Sequence, residues 1–96
     1  MAETIDDLTI DFKEDGKLVR QQLDKKILSK GAWTTIMYKY QDWNRPKEEW
    51  GPDKYMIARY QKQNGRYNQK SKFNISSVAQ AEKIIEALQE WIKDAN

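Results

Sequence analysis

Residues 54–75 read KYMIARYQKQNGRYNQKSKFNI, and the turn at their centre decides the fold. Asn64-Gly65 is the strongest short hairpin signal, because a type I′ turn needs positive φ at both central positions. On either side polar and bulky apolar residues alternate, as in strands that send successive side chains to opposite faces. A two-residue turn also fixes the register. Gln63 should then face Arg66, Gln61 face Asn68, Arg59 face Lys70, Ile57 face Lys72 and Tyr55 face Asn74. The other side would pair Tyr60 with Gln69, Ala58 with Ser71, Met56 with Phe73 and Lys54 with Ile75. The first set is wet and basic, and it holds no acid. Like charges directly opposite on a sheet are destabilising, so Arg59 across from Lys70, flanked by Arg66 and Lys72, suggests a surface that holds a polyanion.

The hairpin has neighbours in sequence. Residues 32–43, AWTTIMYKYQDW, are rich in β-branched and aromatic side chains and read as a strand. Trp33, Thr35, Met37, Lys39, Gln41 and Trp43 share one face, and Thr34, Ile36, Tyr38 and Tyr40 the other. The loop NRPKEEWGPD does not set this strand's register, but Lys39 between two tryptophans marks the first set as the exposed one. Residues 17–28, KLVRQQLDKKIL, read as a further strand, although helix would also fit. After the hairpin, Ser77 and Gln80 form a capping box, with Ser76 as an alternative cap. Val78, Ala81, Ile84, Ile85, Leu88, Trp91 and Ile92 then recur at helical spacing. The fold class expected is α+β: a four-stranded antiparallel sheet followed by one C-terminal helix laid across one face. The domain spans residues 17–96, preceded by a flexible acidic tail at 1–16. Weak alternation at Leu8, Ile10 and Phe12 leaves an added edge strand open.

Composition narrows the function. Four Trp, five Tyr and two Phe in 96 residues argue for a packed domain despite 33% charged residues. The chain has no Cys and no His, which removes disulfides, thiolate chemistry, most structural zinc sites and the commonest general base. Asp42, Glu48, Glu49 and Asp53 are the one group resembling paired carboxylates, and a charged loop is the better account of them. No enzymatic activity, catalytic residue, metal, cofactor or small-molecule substrate is expected. The acidic start lacks the basic and apolar regions of a signal peptide, and no apolar run approaches spanning length. The expected location is cytoplasmic, and nucleoid-associated in a bacterium, with no membrane partner.

Charge is unevenly spread along the chain. Residues 1–15 carry six acids against Lys13, whereas residues 16–75 carry fourteen Lys and Arg against five acids. A basic middle between acidic ends points to nucleic acid or another polyanion. Aromatic planes beside cations suit unpaired bases, since stacking is worth about 1–3 kcal/mol per base and tolerates any sequence. The alternative reading is a protein-interaction domain whose basic sheet docks an acidic partner or its own acidic tail.

The order of strands and closing helix, centred on KYMIARYQKQNGRYNQKSKFNISSVAQAEKIIEAL, resembles the positive-cofactor-four family of single-stranded-DNA-binding transcriptional coactivators and their bacterial relatives. The likeness covers residues 17–92. It rests on Lys54-Tyr55-x-Ile57, the hairpin, the lead-in Lys72, Ile75 and Ser77, and the terminal helix. It implies a curved sheet, a homodimer formed through helices and sheet edges, and binding of single-stranded DNA ahead of RNA in transcription or DNA maintenance. The family's sheet contacts fall near Trp33, Lys39, Arg59, Lys70 and Lys72. Family members often place Arg directly after the strand Ile; here Ala58 stands there and Arg59 follows. With the face analysis above, the candidate nucleic-acid-binding residues are Trp33, Lys39, Trp43, Tyr55, Arg59, Arg66, Lys70 and Lys72.

Overall fold

A computed structural model describes residues 4–95. After a single 3-10 turn at Ile5–Asp7, the strands are β1 (Phe12–Glu14), β2 (Lys17–Ser29), β3 (Trp33–Asn44), β4 (Glu49–Trp50), β5 (Lys54–Gln63) and β6 (Arg66–Ile75). One helix, α1 (Val78–Ala95), follows. The class is α+β, with a curled antiparallel sheet in the order β1-β2-β3-β5-β6 and β4 paired to β3. The four expected strands are present, and two short ones add to them: six strands among the described residues rather than four.

Asn64 and Gly65 adopt φ of 53° and 78°, as the tight turn demands. From there the register runs as expected through Gln63–Arg66, Gln61–Asn68 and Tyr60–Gln69. It then shifts. Arg59 pairs with Ser71, Ala58 with Lys72, Ile57 with Phe73 and Tyr55 with Ile75, so Lys70 is the extra residue of a bulge. Arg59 and Lys70 are therefore not the direct cross-strand partners expected. Periodicity presumes an unbroken ladder; one inserted residue exchanges the faces of every side chain beyond it. Here it turns Lys72 and Asn74 to one face and Phe73 and Ile75 to the other.

The main core lies on one face of the sheet, while Ile75 is buried on the other. Ile36, Tyr38, Tyr40, Met56, Ala58, Tyr60 and Tyr67 are buried on the core face. The Tyr38 and Tyr60 hydroxyls share a 2.8 Å hydrogen bond, which satisfies two polar groups that burial would otherwise penalise. Burial first, and then this bond, pushes the Tyr38 phenol far above its usual range. The cover on this core is the N-terminal segment, with Leu8 buried and Ile5 and Ile10 packed beside it. Lys25 holds that segment down, its ammonium donating to the carbonyls of Ile5 at 2.8 Å, Asp6 at 3.2 Å and Leu8 at 2.9 Å. Of the two alternatives left open for this stretch, the edge strand is present, as β1 against β2. Residues 5–14 thus belong to the folded unit. Residues 1–3 of the expected tail lie outside the described residues.

The helix does not close the core, contrary to the simple expectation. Ser77 caps it, accepting from the Gln80 amide at 3.1 Å, while Gln80 Oε1 accepts from the Ser76 amide at 2.7 Å. No residue of α1 is buried, and its contacts with the sheet are chiefly with β6. Val78, Ile85, Leu88 and Trp91 remain exposed, Trp91 at 67%. No helix among the described residues is long and apolar enough to cross a membrane.

Candidate nucleic-acid interface

With Thr34, Ile36, Tyr38 and Tyr40 turned inward, alternation sends Trp33, Thr35, Met37, Lys39, Gln41 and Trp43 to the opposite, open face of β3. Pairing extends that face sideways. Gln61, Arg59, Ile57 and Tyr55 of β5 lie beside Trp33, Thr35, Met37 and Lys39. Ser71 and Phe73 of β6 lie beyond Arg59 and Ile57, and Lys26 and Asp24 of β2 flank Met37 and Lys39 on the other side. About ten residues separate Trp33 from Trp43, so at ~3.3 Å per residue the face is ~33 Å long.

Stacking groups stand at both ends of this face. At one, the Arg59 guanidinium lies 4.5 Å from the centroid of the Trp33 ring, and Trp33 is 42% exposed. At the other, Trp43 meets Trp50 edge to face, centroids 5.3 Å apart and planes at 78°. The short β4 makes this contact, because Trp50 pairs directly with Trp43 across the ladder. Between them lie Tyr55, Ile57 and Met37, half-buried, and Phe73, exposed at 52%.

The charge on this face is less one-sided than the sequence implies. Lys39 stands opposite Asp24 in register and its Nζ is 3.9 Å from Asp53 Oδ2. Gln41 also donates to Asp53 at 2.9 Å. Asp53 therefore ties the strand to the loop and partly neutralises Lys39. Asp42, its supposed partner in a carboxylate pair, lies on the core side. There it accepts from Arg20 Nε at 2.7 Å and pairs with Lys54 at 3.2 Å. The hydrogen bond from Arg20, and then Lys54, holds the Asp42 carboxyl below the usual carboxylate range against the opposing effect of burial. Arg20 also covers the Tyr40 ring at 4.7 Å. Among the described residues no group of three or more His, Cys, Asp or Glu is placed to hold a metal ion.

Of the eight candidates, Trp33, Lys39, Trp43, Tyr55, Arg59 and Arg66 share the open face. Lys72 does not: it is paired with Ala58 on the core side, at the edge of the sheet. Lys70 sits at the bulge and is exposed. Sequence reasoning placed Met37 and Ile57 on this face without naming them as contacts, and it missed Lys26 and Phe73. Phe73 joins Ile57 only through the bulge, whereas Met37 is readable from alternation along β3. Asp6 lies in the segment that covers the core, whereas Glu14 forms an ion pair with Arg45 and, with Asp15, lines a pocket beside Trp43. No family model, curated protein or solved structure matches the chain.

Proposed function

We propose that this chain binds single-stranded nucleic acid, DNA ahead of RNA, along the open face of its sheet and with little sequence preference. The observation that carries this reading is the Arg59–Trp33 stack on a face that continues through Lys39 and Tyr55 to the Trp43–Trp50 pair. A planar cation beside an exposed indole offers a base something to stack on and a phosphate something to neutralise. A face of ~33 Å spans at most about ten nucleotides at the ~3.4 Å rise of a stacked strand, within the range known for strand-binding sheets. The role in transcription or DNA maintenance belongs to the same proposal.

The working unit is a homodimer. A compact monomer of 11.4 kDa exposes about 5,800 Å², whereas this chain exposes 7171 Å². Its radius of gyration is 15.5 Å, against about 12.5 Å for a compact chain of this length. The excess, about 1,400 Å², is more than the ~800 Å² each partner gives to a standard interface, and the exposed apolar stripe of α1 is its natural location.

Titrating the intrinsic fluorescence with oligo-dT at two salt concentrations tests the proposal. Neutralising about four phosphates gives a slope of about −3 in log K against log salt, at roughly −0.7 per contact. Absence of binding at low salt, or binding indifferent to salt, overturns it. Capture of an acidic polypeptide instead of the oligonucleotide would favour a protein-docking surface.

A further inference from the structure

The two bulges of β2 shape the open face beside β3. Asp24 pairs with Lys39 while Gln22 pairs with Tyr40, so Leu23 is an extra residue and the strand bends there. A crevice of about 180 Å³ opens next to it, lined among others by Asp24, Lys26, Met37, Lys39 and Tyr55. That is room for about six waters at ~30 Å³ each, enough for a flat heteroaromatic ring. Its bed is Met37 and Tyr55, both half-buried; a thioether beside a phenol ring accommodates an inserted ring well. Its lining is chiefly apolar, with Asp24 and Lys39 among the residues around it. Asp24 Oδ1 accepts from the Lys25 amide at 2.8 Å, which fixes the carboxylate and leaves the second oxygen as an acceptor. Across the ladder from it stands Lys39, a pure donor whose ammonium lies 3.9 Å from Asp53 Oδ2.

From this geometry we infer that the crevice between the β2 bulge and Tyr55 is a base socket that takes cytosine in preference to thymine. It rests on the reading of the open face as an interface for unpaired strands. A carboxylate across the ladder from a lysine matches an edge with a donor next to an acceptor. Cytosine offers N4–H₂ beside N3 in that order, and Asp accepting from cytosine N4 is an established pairing. Thymine puts a carbonyl oxygen where the amino group would be, opposing two acceptors. Adenine has the cytosine order on a two-ring frame, so it tests the size of the socket. The flanking stacks at Trp33 and Trp43 are indifferent to base identity, which confines the preference to the middle of the bound strand.

The experiment compares, on the full chain at low salt, fluorescence anisotropy of oligo-dT with that of the same oligomer carrying dC, or dA, at central positions. The dC oligomer should bind about five-fold tighter or more, the lower end of what one good base contact supplies, and the dA oligomer should gain less. Asp24→Ala should abolish the dC advantage while oligo-dT binds as well or better, since an acid near the phosphates is gone. Asp24 is exposed, and an unchanged circular dichroism spectrum checks the fold. Equal binding of dT and dC oligomers by the wild-type chain overturns the socket and leaves the interface standing. A dC preference that survives Asp24→Ala, or a dA gain equal to that of dC, also overturns it. If no oligomer binds, the interface fails and the socket with it.

Discussion

The Arg59 guanidinium stacks over Trp33 at 4.5 Å, joining β5 to β3 at one end of the open face. Geometry of this kind separates Arg from Lys, because a planar guanidinium shares its plane with a ring whereas an ammonium is a point charge. Trp33→Ala should weaken oligo-dT binding about 5- to 150-fold, the equivalent of about 1–3 kcal/mol for one lost stack. Arg59→Lys should keep the salt slope yet lose affinity, and Arg59→Ala should reduce the slope by about 0.7. Titrations at several salt concentrations separate the two. The exposed stack contributes only about 0.5–1 kcal/mol to folding, so urea unfolding midpoints should move little.

The Lys70 bulge yields a contrast between neighbours. Lys72 lies on the core side at the sheet edge, so Lys72→Ala should change oligonucleotide affinity less than Arg59→Ala does. Phe73 is on the open face, and Phe73→Ala should cost affinity with little cost in stability, being 52% exposed. Measuring the three variants with one oligomer checks this directly. Equal losses for Lys72 and Arg59 would mean that the strand reaches around the edge of the sheet.

These contrasts mark where legibility in the sequence ended. The strands at 17–28, 32–43, 54–62 and 66–75, the turn and the capped helix were all readable, because Asn64-Gly65, period-two alternation and Ser77…Gln80 are local signals. The exposed face of β3 was also readable, from the position of Lys39. The bulge was not: an unpaired residue leaves composition and alternation nearly unchanged, yet it exchanges Lys72 for Phe73. Nor was the cover on the core. Leu8, Ile5 and Ile10 carry too faint a pattern to predict that they, rather than the longer apolar stripe of α1, would close it. Lys25 reads as one more surface lysine until its three carbonyl partners are seen.

Acid should destabilise the fold in part through Asp42. Its folded pKa is lowered by Arg20 and Lys54, so near and below its unfolded value of about 3.9 the unfolded chain binds more protons than the folded one. The contribution of these ion pairs is complete above that value and is lost as pH falls through the folded pKa. Asp42→Asn should therefore be less stable than wild type at neutral pH, with the gap narrowing below about pH 4. Urea unfolding at several pH values gives the comparison; a gap constant down to pH 2 would assign the loss to packing.

Glu48 closes the loop between β3 and β4 with φ of 50°, and its amide donates to the Arg45 carbonyl at 3.3 Å. A side chain in the left-handed region costs roughly 1–2 kcal/mol relative to glycine, part of which glycine returns through its greater freedom when unfolded. Glu48→Gly should stabilise the protein by about 0.5–1 kcal/mol. For a domain of this size that is a rise in Tm of about 2–8 °C, readable by calorimetry. A fall in Tm would show that the Glu48 side chain makes a favourable interaction that outweighs the strain.

The apolar stripe of α1 supplies the test of assembly. Leu88 and Trp91 are 48% and 67% exposed and lie three residues apart on one side of the helix. A charge placed there costs the isolated protomer little, because neither side chain is buried in its core. In an interface it would be desolvated without a partner, which is expensive. Leu88→Glu and Trp91→Glu should each convert a dimer into an 11.4 kDa monomer by light scattering, with circular dichroism unchanged. Oligonucleotide affinity should fall as well, because two open faces held together act on one strand at a high effective concentration. A wild-type chain that scatters as a monomer at all concentrations would remove the dimer and leave the stripe to be covered by another partner.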